Sequence, residues 1–167
     1  NVCTPSVEQL KRPVLVWIHG GAYRTGQGAI PWYNGSSFAA NGNIVVVSIN
    51  YRLGALGFTD LSEFGEDFAT SGINGTLDQI TALEWVRDNI ERFGGDPKNV
   101  TVCGQSAGAM SVGALFGAPT ARGLFRRAIL QSGAGRNVIE REQADRAAAL
   151  FLKALGNPRV TPKVLGE

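Results

Sequence analysis

Four short apolar runs stand out along the chain, each bounded by turn-forming or polar residues. Pro13-Val14-Leu15-Val16-Trp17-Ile18 and Ile44-Val45-Val46-Val47-Ser48-Ile49 are continuous rather than alternating, the pattern of parallel strands buried on both faces. Val100-Thr101-Val102-Cys103 and Arg127-Ala128-Ile129-Leu130-Gln131 read as two further strands. Between the second and third runs, Leu77, Ile80, Leu83, Val86, Ile90 and Phe93 step by three or four, which predicts a helix over 76–93. Thr76 and Gln79 have the spacing of a capping box at its start, and Gly94-Gly95 supply the stop. Residues 106–117 are almost wholly apolar and carry Gly108, Gly113 and Gly117, the pattern of a helix buried all round and lying close to a sheet. A last amphipathic helix is predicted over 138–155, with a Glu142–Arg146 pair at i,i+4 and with Gly156 and Pro158 as its stop. The Gly-rich stretch 53–75 reads as loop. Strands alternating with helices predict an α/β fold, a mostly parallel sheet covered by helices.

Composition narrows the classes. The chain has 167 residues, 44% hydrophobic and 18% charged, an ordinary globular interior in one domain's worth of sequence. A formal net charge of +2 with scattered Lys and Arg gives no footprint for nucleic acid. No apolar run approaches the ~18 residues that would span a bilayer. No phosphate loop, dinucleotide fingerprint or metal-ligand spacing is present, so no cofactor and no metal is expected.

Two motifs carry chemistry. Gly104-Gln105-Ser106-Ala107-Gly108 follows the third strand and opens the apolar helix. A serine in G-x-S-x-G at a sharp strand-to-helix turn is an exposed nucleophile, with nearly side-chain-free residues around it to avoid collision. The N–H groups of the helix that starts there face any oxyanion formed at the serine. Upstream, His19-Gly20-Gly21-Ala22 ends the first strand and has the form of an HGGG-type oxyanion loop, where the backbone itself must reach a substrate carbonyl. Each motif has a bland alternative, a chance pentapeptide or a glycine turn. Their order and their placement after buried strands favour catalysis.

Taken with Asn1-Val2-Cys3-Thr4-Pro5, Val46-Val47-Ser48-Ile49-Asn50-Tyr51-Arg52-Leu53-Gly54, Asp78-Gln79, Phe93-Gly94-Gly95-Asp96-Pro97 and Gln131-Ser132-Gly133, these segments resemble the type B carboxylesterases. This is the cholinesterase-like branch of the α/β-hydrolases, and bacterial enzymes of the para-nitrobenzyl esterase type look most similar. The resemblance covers residues 1 to about 134. It implies a partial α/β-hydrolase fold, with 1–167 as the N-terminal and central part of one domain and an internal fragment of a longer enzyme. It implies hydrolysis of small carboxylic esters, with Ser106 as nucleophile and Gly20, Gly21, Ala22 and Ala107 forming or shaping the oxyanion hole. The alternative within the family is a non-catalytic adhesion protein, against which the presence of the serine argues. A nucleotide-binding module is a third class, disfavoured by the missing phosphate loop. Similarity to bacterial enzymes leans toward a cytoplasmic location, with secretion left open.

The single histidine, His19, precedes Ser106, whereas α/β-hydrolases order their triad as Ser, then acid, then His. His19 is therefore read as a structural or supporting residue. The triad acid and histidine are expected outside this chain. Gln105 stands where the family more often has glutamate. Asp78 and Asp96 are expected to pin loops. Cys3 and Cys103 read as two buried free thiols. Tyr23, Trp32 and Tyr33 either line the entrance to the site or pack in the core.

Overall fold

A computed structural model describes residues 1–8, 10–135 and 138–156. Its centre is a five-stranded sheet in the spatial order β1-β3-β2-β4-β5. β1 (Val2–Cys3) runs antiparallel to its neighbour, while β2 (Arg12–Ile18), β3 (Val45–Ser48), β4 (Gly95–Gln105) and β5 (Arg127–Gln131) are parallel. All four predicted strands form, and β4 starts five residues before the apolar run at Val100 that marked it.

Register explains the core. Val14 pairs with Val45 on one side and Val100 on the other, and Val16 with Val47 and Val102. These residues therefore share one face. That face is sealed by Ile80, Leu83, Val86 and Ile90 from α3 (Asn74–Asn89) and the turn after it, and by Val112 and Leu115 from α4 (Ala107–Gly117). The opposite face carries Leu15, Trp17, Cys103 and Ile129, and Ile129 is 46% exposed. The strands are thus closed on one side and only partly covered on the other. Along β2, fully buried residues alternate with half-buried or exposed ones despite the continuous apolar sequence.

From β2 the chain passes through α1 (Ser36–Gly42) to β3 on one side, then crosses under α3 to β4 on the other side of β2. The direction of winding reverses between β2 and β4. In open parallel sheets the crevice at the carboxyl ends of two such strands is where ligands bind.

Local expectations differ in five places. α3 begins at Asn74 with Ile73 as its cap and no capping side chain. Gln79 is fully buried and bonds to Ser111 instead of reaching back to Thr76. The stretch 53–75 holds α2 (Gly54–Phe58) and three 3-10 turns, because packing against α3 orders a segment with little helix propensity of its own. α5 (Arg141–Ala154) forms within the predicted span and carries Arg141–Asp145 as its i,i+4 ion pair instead of Glu142–Arg146. Arg141 also reaches Asp60 and Glu63, and these acids select it. Cys3 is half-buried, with only Cys103 fully buried, although both thiols are free. Pro158, expected in the stop of α5, lies outside the described residues.

Candidate active site

β4 ends at Gln105, and the chain turns within one residue into α4. Ser106 is that residue, with φ 54° and ψ −121°. A positive φ is uncommon outside glycine and costs of order 1–3 kcal/mol, so it persists only where the surroundings enforce it. Here the Ser106 N–H donates to the Gln131 carbonyl at 2.9 Å, and the Ser106 carbonyl accepts from Met110 N–H at 3.0 Å. The turn is held from both sides.

The second motif lies against the first. A methyl group on Gly108 would collide with the carbonyls of Ile18 and His19, so only glycine lets the first turn of α4 seat on the end of β2. A methyl group on Gly20 would meet the Gln105 carbonyl oxygen at 2.7 Å and Ser106 Cβ at 3.2 Å. Loop 19–23 and the serine turn are therefore in van der Waals contact at the carboxyl ends of β2 and β4.

The loop is aimed by its carbonyls. His19 Nδ1 donates to the Gly20 carbonyl at 2.8 Å, since a carbonyl can only accept. The Gly21 carbonyl accepts from Arg24 N–H at 3.0 Å and Thr25 N–H at 3.1 Å. Across a trans peptide the C=O and the following N–H point in opposite directions. Pinning the Gly20 and Gly21 carbonyls therefore turns the N–H groups of Gly21 and Ala22 the other way. Neither these two nor the Ala107 N–H finds an acceptor among the described residues. Gly21, Ala22 and Tyr23 all have positive φ, at 115°, 54° and 60°.

His19 supports this loop from below. It is 1% exposed, its ring stacks on Tyr51 at 4.6 Å, and its carbonyl accepts from the Tyr51 hydroxyl at 2.8 Å. Burial, reinforced by Tyr23 and Tyr33, pushes the Tyr51 phenol far above its ordinary value. The hydroxyl therefore stays protonated and keeps donating. His19 Nε2 is buried without a partner among the described residues.

Tyr23 packs edge-on against Phe58 at 4.8 Å beside the core. Trp32 and Tyr33 instead line an apolar cavity of ≈ 340 Å³ with Trp17, Phe38, Cys103 and Ile129 on the partly covered face of the sheet. Asp78 accepts from the Arg52 backbone and guanidinium at 2.8 Å, and Asp96 accepts from Lys98 N–H at 2.8 Å. Asp78 pins the segment before α2 to α3, as expected, whereas Asp96 bonds only to its own backbone two residues on, at the start of β4. Among the described residues no group of three or more His, Cys, Asp or Glu could hold a metal ion. No helix of the described residues is long and apolar enough to cross a membrane.

Ser132 enters the sequence analysis only as part of the segment Gln131-Ser132-Gly133, with no role of its own. It has φ 54°, and a methyl group on the next residue, Gly133, would meet the Ser106 carbonyl at 2.7 Å. The signal available was a small polar pair, Ser132-Gly133, directly after a strand.

Comparison with known proteins gives consistent results. The chain matches the carboxylesterase family over residues 1–164. It is 52% identical over 156 residues to para-nitrobenzyl esterase of Bacillus subtilis, an alignment covering 93% of this chain and 31% of that protein. Acetylcholinesterase of Gallus gallus is 45% identical over 161 residues, covering 95% of this chain and 21% of the relative. A solved carboxylesterase of Geobacillus stearothermophilus superposes with a TM-score of 0.94 at 49% identity, over 97% of this chain and 34% of that one. The chain spans about a third of the length of the bacterial relatives it matches.

Proposed function

The chain belongs to the carboxylesterase family, and from that premise we propose that it carries the nucleophile and oxyanion hole of a serine hydrolase acting on small carboxylic esters. Ser106 Oγ attacks the ester carbonyl while its proton passes to a histidine, and the carbonyl oxygen becomes an oxyanion received by the N–H groups of Gly21, Ala22 and Ala107. Collapse releases the alcohol, which takes that proton, and leaves an acyl-serine that water then hydrolyses. Gly20 gives the loop its close approach to the serine. The acid and the histidine belong to the rest of a longer α/β-hydrolase domain. The span of about a third of the relatives and the absence of any histidine after Ser106 both favour this division.

The observation that carries the reading is the pinned geometry. A strained serine lies against a loop whose two engaged carbonyls leave the neighbouring amides free. The test is hydrolysis of p-nitrophenyl acetate by the full-length protein that carries this segment. Ser106→Ala is expected to remove about 10⁶ of kcat, the usual consequence of deleting one member of a unit that works together. Hydrolysis that survives Ser106→Ala unchanged, or a full-length protein that folds but does not hydrolyse esters, overturns the proposal.

A further inference from the structure

A polar chain, buried at Gln79 and Ser111 and half-buried at Tyr23, links α3 and α4 to the loop. Gln79, on the inner face of α3 between residues that pack the core, is fully buried. Its Nε2 donates to Ser111 Oγ at 3.1 Å, and Ser111 Oγ donates to the Tyr23 hydroxyl at 3.5 Å. Ser111 is itself 3% exposed. Gln79 Oε1 has no partner among the described residues.

We propose that Gln79 and Ser111 are positioning residues for the oxyanion loop, acting through the Tyr23 hydroxyl. The inference rests on the esterase reading and deepens it. Tyr23 directly follows Ala22, and both hold the left-handed backbone that a released non-glycine chain would leave. Three contacts keep Tyr23 in place. Its carbonyl accepts from Gly54 N–H at 2.7 Å, its ring stands on Phe58, and its hydroxyl meets Ser111. Of these three, only the last reaches the serine's own helix, where Ser111 lies five positions beyond Ser106. It adds to the packing of Gly20 on Ser106 and of Gly108 on the His19 carbonyl in holding the loop beside the nucleophile.

A serine hydroxyl has one proton and two lone pairs. Taking an N–H from Gln79 occupies one lone pair, which leaves Ser111 its proton and a second lone pair to meet the Tyr23 hydroxyl. A mid-helix serine ordinarily bonds back to a carbonyl of the preceding turn, and here the partner is Tyr23 instead. Gln79 occupies a helix position where an apolar side chain would pack without leaving an acceptor unpaired, a cost a buried amide otherwise avoids. Orienting Ser111 is what the amide does there.

The test uses the full-length enzyme and three variants. Tyr23→Phe keeps the ring on Phe58 and isolates the hydroxyl, and Ser111→Ala and Gln79→Met remove the two supports. Each is expected to lower kcat about tenfold with KM within about twofold, the signature of an interaction that matters in the transition state. Affinity for a trifluoromethyl ketone, which forms a hemiketal oxyanion on Ser106, should fall by the same factor. Ser111→Thr, which keeps the hydroxyl, should restore most of kcat. Variants that keep kcat and ketone affinity, or that lower only the melting temperature, overturn the inference. An inactive parent, or one indifferent to Ser106→Ala, overturns the esterase reading instead.

Discussion

The backbone N–H of Ser106 donates to the carbonyl of Gln131 at 2.9 Å, which ties the strained turn to the end of the edge strand β5. That bond and the seating of Gly108 on β2 hold a φ of 54° that serine would not choose. Glycine adopts this conformation freely, whereas alanine does not. In the full-length protein, Ser106→Gly should therefore be more stable than Ser106→Ala by about 1 kcal/mol, even though glycine also raises the entropy of the unfolded chain. Equilibrium denaturation of the two variants measures the difference. A glycine variant no more stable than the alanine one would mean the turn is unstrained.

Much of this arrangement is legible in the sequence because it is local. The strands announce themselves through apolar runs, and Gly94 marks the end of the helical stretch with φ 80°. The two motifs each follow a strand, so the topology alone brings them to one end of the sheet. What was not legible depends on partners far along the chain. Gln79 has the spacing of a helix cap, but its partner Ser111 is 32 residues away. The choice of Arg141 over Glu142 and Arg146 in α5 is set by Asp60 and Glu63, which no pattern within the helix reveals. α2 is held by packing on α3 rather than by propensity, as the close passage of Gly75 in α3 against Phe58 and the Arg52 carbonyl indicates.

The isolated 167-residue chain should show no significant hydrolysis of p-nitrophenyl acetate. Its one histidine is 1% exposed, spends Nδ1 on the Gly20 carbonyl and stacks on Tyr51. It is a support of the loop and not free to take the serine proton. Without a base the rate should fall by about 10⁶, leaving only what oriented amides supply. Enzyme-like turnover by this chain, abolished by Ser106→Ala, would show that one of its own residues acts as the base.

The Arg52–Asp78 pair predicts a specific acid sensitivity. Hydrogen bonds from the Arg52 side chain, together with its backbone N–H, hold the Asp78 carboxyl below its ordinary value. A depressed carboxylate pKa stabilises the fold above the unfolded value of about 4. That stability is lost as pH falls through the lower folded value. The Arg52 side chain is 49% exposed, so solvent screening keeps the contribution under about 1 kcal/mol. In the full-length protein, Asp78→Asn should be less stable than the parent at pH 7, and the gap should narrow as the pH falls below the unfolded carboxylate value of about 4 and vanish below the lower folded one. A gap that is constant with pH would place the effect in packing rather than charge.

The last prediction follows from the partly covered face of the sheet. β5 pairs with β4 on one side only, and Ile129 and Leu130 are 46% and 37% exposed. Ile129 lies on the partly covered face, where it lines an apolar cavity with Trp17, Tyr33, Phe38 and Cys103. A strand edge whose one charge, Arg127, sits at its start, beside a partly covered apolar face, is a template for pairing with another chain. The bacterial relatives it matches are about three times as long, and in them further chain is available to cover the corresponding surface. Alone, the chain should bind a hydrophobic dye and either aggregate or unfold without a sharp transition. Ile129→Lys, which places a charge on the exposed face without touching Ser106 or loop 19–23, should reduce both dye binding and aggregation. A monomer with a single cooperative melt above about 50 °C, in the range of intact domains, and with no dye binding would show that the sheet needs no further cover.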